Sequence, residues 1–169
     1  MNEKVLAGMF IGSHNVDVLE KAEFTNVRIE VPAAEGVNGY ETPSPSRLEI
    51  VDVESGLRKV IYETQTHIEA PNWSRNGKYL IYNSNGKLYK YKLKNSKISQ
   101  INTGNVTANN NDHGITFDGK MLAISSSTEI EGERHSMVYT VPIKGGKPKL
   151  ITQKGPSYWH GWSPDNEWL

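Results

Sequence analysis

Cysteine is missing from the 169-residue chain. Its absence excludes disulfides, thiolate metal centres and cysteine nucleophiles together, and leaves the redox compartment undecided. A charge excess is missing as well, since 19 Lys and Arg are matched by 19 Asp and Glu. A protein that grips phosphate backbones carries a surplus of cations, so nucleic acid is not an expected partner. Long apolar runs are missing too: none approaches the ~20 residues of a membrane span. Near the N-terminus Gly8, Gly12 and Ser13 interrupt the short apolar stretch after Lys4, and no signal peptide is read there. What remains is ordinary for a folded domain, with 36% hydrophobic and 22% charged residues over a length that suits one core.

The order of the residues carries more. Three segments align on their turns: AlaProAsnTrpSerArgAsnGlyLysTyrLeu at 70–80, AspHisGlyIleThrPheAspGlyLysMetLeu at 112–122 and TrpHisGlyTrpSerProAspAsnGluTrpLeu at 159–169. Trp73, Ile115 and Trp162 are then equivalent, at spacings of 42 and 47 residues. Each segment has Ser or Thr, then a turn pair (Asn76-Gly77, Asp118-Gly119, Asp165-Asn166), then an apolar strand. Such pairs tolerate the positive φ of tight hairpin turns. Alternation continues after the turns. TyrLeuIleTyrAsn at 79–83 leads through Asn85-Gly86 to residues 87–93, where Tyr89, Tyr91 and Leu93 share one face and Lys90 and Lys92 take the wetter one. A short strand at 97–101 completes the unit, and strands at 121–125, 136–141 and 148–152 repeat the plan. Residues 129–135, rich in Glu, read as a solvated loop that lengthens the second hairpin, and Ser125 to Ser127 as a strand end running into it. Four antiparallel strands per repeat of this length make a β-propeller blade.

Residues 47–53 and 57–62 read as the outer two strands of one further blade, and the last repeat stops inside its second strand. The expectation is an all-β chain holding a partial propeller of about two to three four-stranded blades. A propeller closes with roughly four to eight blades, so the chain is read as part of a longer polypeptide or a truncated product, with the remaining blades as its natural partners. Residues 1–32 hold two strands, at 5–14 and 22–31; residues 33–46 form a linker rich in Gly, Pro and Ser; residues 47–169 form the blades.

The stretches TrpSerArgAsnGlyLysTyrLeu, ThrPheAspGlyLysMetLeu and TrpSerProAspAsnGluTrpLeu resemble the repeat of TolB-like (WD40-like) propellers, an aromatic followed by Ser-Pro-Asp-Gly-Lys and an apolar strand. The resemblance covers residues 47–169 and implies a six-bladed architecture in a bacterial periplasmic or secreted protein. GlyMetPheIleGlySerHisAsn at 8–15 and AlaGluPheThrAsnValArgIle at 22–29 resemble the closing strands of a concanavalin-like jelly-roll module. Fold alone does not settle activity.

Residues able to carry chemistry gather where the innermost strands begin. His113 and His160 stand two residues before Ile115 and Trp162, with Asn111, Asp112, Tyr158 and Trp159 beside them, and His67 precedes Trp73 by six. Together His67, Asn111, Asp112, His113, Tyr158, Trp159 and His160 are the candidate ligand-binding residues of a channel mouth. Imidazole and carboxylate suit a divalent ion, with His113 and His160 as its candidate ligands, although no cofactor is required by any motif. Tyr158 and Trp159 offer a stacking platform, whereas Trp162, like Trp73, is expected in the interblade core. The chain has no Gly-x-Ser-x-Gly elbow, no Gly-rich phosphate loop and no His-Glu-x-x-His helix. The leading expectation is a non-catalytic binding module that presents the channel mouth to a protein or oligosaccharide. The TolB-like resemblance leaves two alternatives: a metal-dependent enzyme of the oligogalacturonate-lyase type, and the propeller of a prolyl-oligopeptidase-like serine peptidase.

Overall fold

The computed structural model describes residues 16–19, 21–24, 35–36 and 45–169. The strands expected at 5–14 and 22–31, and with them the jelly-roll tail, fall outside the described residues apart from 22–24. The chain divides into two compact units, Met1–Val37 and Asn38–Leu169. The second contains ten strands, all paired antiparallel, and no helix among the described residues.

Strands β1 (Ser46–Val51) and β2 (Arg58–Thr64) pair by themselves. Strands β3 (Glu69–Trp73), β4 (Tyr79–Ser84), β5 (Lys87–Lys92) and β6 (Ile98–Gln100) form one four-stranded sheet in sequence order. Strands β7 (Asn109–Ile115), β8 (Met121–Ile130), β9 (Glu133–Pro142) and β10 (Lys149–Leu150) form the next. This is the expected half blade followed by two whole ones. Residues 151–169 add no further strand.

Two cores follow from the period-two pleat. Leu80, Tyr82 and Tyr91 face the half blade and bury against Leu48, Ile61 and Tyr62. Burial and the neighbouring Tyr62 and Tyr89 push the Tyr82 phenol up to about 12. Ile81 and Leu88, on the other face, meet Ile115, Leu122, Ile124, Met137 and Val141 of the second blade. Each large apolar side chain so buried stabilises by about 1.5–3 kcal/mol relative to exposure. The lysine face of β5 is therefore only partly wet: Leu88 is fully buried there, and the Lys90 ammonium lies 4.5 Å from the centre of the Tyr79 ring. Desolvation, with Lys92 nearby, lowers the Lys90 pKa.

The repeated turns are built alike. Ser74 Oγ accepts from the amides of Lys78 and Tyr79 at 3.0 Å and donates to Asn76 Oδ1. Thr116 Oγ1 accepts from Lys120 and Met121 and donates to Asp118 Oδ1 at 2.7 Å. Ser163 Oγ donates to Asp165 Oδ1 and accepts from the Trp168 amide. These bonds lower the pKa of both Asp118 and Asp165, the hydroxyl bond being the largest cause in each. One hydroxyl thus satisfies two amides at the start of the second strand in the first two turns, and one amide in the third, which is why Ser or Thr recurs there. Neighbouring turns are also tied together: Arg75 donates to the carbonyls of Ile115 and Thr116, and Asn166 Oδ1 accepts from the Phe117 amide at 2.6 Å.

One boundary differs from expectation. The loop read at 129–135 is largely ladder, since pairing of β8 with β9 runs through Ser127–Ser136 and Glu129–Arg134 to Ile130–Glu133. Only Glu131 and Gly132 turn the chain, with φ of 52° and 85°. Two residues of positive φ close a hairpin whose twist matches its strands, so the polar run remains extended. Ser125 and Ser126 accordingly lie inside β8, fully buried, rather than at a strand end.

Candidate functional site

Both innermost strands bulge at the same end. In β3 the register with β4 breaks between Glu69 and Asn72, and Ala70 adopts a φ of 47°. In β7 the register with β8 breaks between Asn109 and His113. A bulge releases residues from the ladder and re-aims their side chains. Asn111 is exposed, Asp112 is half-buried, and the Asp112 amide donates to Asn110 Oδ1 at 2.8 Å.

A polar chain links the two bulges. His67 Nε2 lies 2.9 Å from Glu69 Oε1. The Asn83 amide group donates to Glu69 Oε2 at 3.1 Å and to the Asn109 carbonyl at 3.2 Å. Ser84 Oγ donates to the His67 carbonyl at 2.6 Å, and Asn109 donates to the Gly86 carbonyl at 2.7 Å. Asn83 and Asn109 are buried, and the Oδ1 of each lacks a protein partner. Sequence reading passed over Glu69, Asn83 and Asn109; the signal for Asn83 was a polar residue closing an apolar strand at the repeat position where Ser125 stands in the next blade.

His113 points inward. It is 2% exposed, and neither ring nitrogen reaches hydrogen-bonding geometry with a protein atom. Burial lowers its pKa to about 4, an effect opposed in part by the nearby backbone of Ile81, Asn110 and Asn111 and by the Asp112 charge. His160 is exposed. The two equivalent histidines thus stand in opposite environments. Among the described residues, no three His, Asp or Glu side chains converge on a position that would hold a metal ion.

Trp159 lies against β7. A Cβ on Gly114 would collide with its indole ring, so glycine makes the contact possible. The Trp159 amide donates to Ser125 Oγ at 2.8 Å, while its Nε1 is buried without a protein partner. Trp162 donates through Nε1 to the Gly114 carbonyl at 3.2 Å and is half-buried, a tie between neighbouring repeats. Trp73, its counterpart, is 49% exposed, because among the described residues no innermost strand of a preceding blade covers it. Tyr158 is 51% exposed. The structure therefore brings His67, Asn111, Asp112, Tyr158 and His160 to accessible or half-buried positions and withdraws His113 and most of Trp159 into packing.

No protein-family model matches the chain. A candidate TolB from Agrobacterium tumefaciens, known from its solved structure, is 45% identical and superposes with a TM-score of 0.66 over 70% of this chain and 42% of its own. The fold is that of a TolB-like β-propeller. An uncharacterised protein of Agrobacterium fabrum is 44% identical over 123 residues, 72% of this chain and 41% of that protein. The crystal structure of TolB from Acinetobacter baumannii, at 17% identity, shares the TolB-like fold with a TM-score of 0.58 over 72% of this chain and 30% of its own. This TolB-like chain spans about two fifths of the length of the Agrobacterium proteins it matches. The half blade and two whole blades are thus an arc of the propeller rather than its full circle.

Proposed function

We propose that this arc is a non-catalytic binding module, and that its channel-mouth surface receives a protein ligand. The observation that carries the reading is the pair of bulges, at Glu69–Asn72 and Asn109–His113, opened at the same end of neighbouring innermost strands. Uninterrupted ladders would be more stable, so local strain such as the positive φ of Ala70 marks a place where side-chain aim matters more than pairing. Asn111, Asp112, Tyr158 and His160 supply hydrogen-bonding groups and one exposed aromatic ring to that surface, with His67 behind them beside Glu69. Oligosaccharide is the second ligand class, favoured by the exposed Tyr158 side chain, on which a sugar could stack. A divalent ion would be sought through His113 and His160 by metal analysis of the purified protein. The compartment that fits the TolB-like relatives is the bacterial periplasm or exterior, and no helix among the described residues is long and apolar enough to cross a membrane.

Site-specific photo-crosslinking in the natural full-length protein tests the proposal. A photoreactive residue in place of Asn111, Asp112 or Tyr158 should yield a discrete protein adduct, while one in place of Lys92 or Ser99 should not. Adducts confined to Lys92 and Ser99 would move the interface to the outer strands and end the channel-mouth reading.

A further inference from the structure

The second blade carries a cleft beside its long hairpin. Strands β8 and β9 are ten residues each, against six for their counterparts β4 and β5. The extra length projects the hairpin beyond the sheet and over the loop before β7. Between them lies a cavity of about 230 Å³ whose walls include Asn105, Thr107, Ser127, Glu129, Arg134 and Tyr139. In the first blade the tight Asn85-Gly86 turn instead packs directly on that loop, where Gly86 accepts from the Asn109 amide at 3.0 Å.

The walls are fixed before any ligand arrives. The hairpin is laddered to its tip, and on its far side the Ser157 amide donates to the Ser136 carbonyl at 2.7 Å. Tyr139 OH and Thr128 Oγ1 hydrogen-bond at 2.8 Å and set the floor. On the loop side Thr103 Oγ1 donates to the Val106 carbonyl at 2.6 Å, which holds Asn105 in place. A braced cavity loses little entropy on binding.

Its chemistry is mixed rather than charged of one sign. Glu129 and Arg134 are directly opposite in the ladder, yet no ion pair joins them among the described residues. The cleft therefore offers a pure acceptor (Glu129), a planar set of donors (Arg134), an amide able to do both (Asn105), and hydroxyls from Thr107 and Ser127. An anion would meet the Glu129 carboxylate, and an apolar ligand would leave these groups unpaired. A ring bearing vicinal hydroxyls, each donor and acceptor, satisfies all of them. We infer that this cleft is a binding site for a neutral hexose unit, either free or at the end of a polysaccharide. It borders the start of the β7 bulge, where Ser126 pairs with Asn109, but none of His67, Asn111, Asp112, Tyr158 and His160 lines it, so it is tested apart from the channel-mouth reading.

The test is saturation-transfer NMR on the full chain, with glucose, galactose and mannose as free probes, maltohexaose as the polymer end, and galacturonate as the anionic comparison. At least one neutral sugar should receive saturation at about 10 mM, in the range of weak millimolar binding. Arg134→Ala and Glu129→Ala, both at exposed positions, should each weaken it by about tenfold or more, whereas Lys92→Ala, exposed on the first blade, should leave it unchanged. Response to maltohexaose alone assigns the polymer source, and response to a free hexose assigns the monosaccharide. Saturation of galacturonate alone, of no sugar, or of a sugar whose signal survives both cleft substitutions would overturn the inference.

Discussion

His113 carries a buried imidazole that the fold keeps neutral, and this sets a pH dependence. In the unfolded chain it takes a proton near 6.5, in the folded protein only near 4. The unfolded state binds more protons between those values, so stability is whole above pH 6.5 and falls as the pH drops toward 4, by roughly 3 kcal/mol in total. Asp118 and Asp165, with pKa values below 3.8, act under that window. Urea titrations across pH 4–7 should show the slope in the natural protein and lose most of it in His113→Leu; an equal slope in both would put the proton elsewhere. Gly114 makes a second residue-scale prediction. Gly114→Ala pushes a methyl into the Trp159 ring and should cost about 1–3 kcal/mol, read as a lower Tm. The inward aim of His113 was legible in principle, since it shares the pleat face of Ile115, two residues on. The exposure of the equivalent His160 was not, because residues 151–169 form no strand and so no pleat sets which way its side chain faces.

At the scale of elements, the turns were the most legible feature. Their Ser or Thr, Asp or Asn, and Gly are needed for bonds made within six residues, so the chemistry is written in one short segment. Thr116→Ala leaves the Lys120 and Met121 amides without their shared acceptor and should destabilise by about 1–3 kcal/mol, while Thr116→Ser, which keeps the oxygen, should recover most of it. Equal losses in chemical denaturation would show that the methyl, not the hydroxyl, holds the turn. The bulges were not legible. Nothing in GluAlaProAsnTrp or in AsnAsnAsnAspHisGlyIle dictates where pairing slips, because the slip is set by the partner strand and by the Asn83 bridge from one blade to the next. The length of the second hairpin was not legible for a related reason: polar residues at 127–129 suit a solvated strand as well as a loop.

At the scale of the whole molecule, three of the links between blades are the apolar layer around Ile81 and Ile115, the turns linked through Arg75 and Asn166, and the polar chain from His67 to Asn109. The first two are means of holding neighbouring blades together. The third runs beside two broken ladders, an interruption that the apolar layer does not require. The proposed channel-mouth binding would use that end of the blades, and it is the central claim. Its most direct test is the affinity of the crosslinked protein partner, purified and titrated by calorimetry against the natural full-length protein and two double variants. Asn111→Ala with Asp112→Ala should weaken binding by about tenfold or more, close to 1.4 kcal/mol. Arg75→Ala with Lys120→Ala, at the turns, should leave it within about twofold. Unchanged affinity in the first pair, or an equal loss in both, would contradict the account.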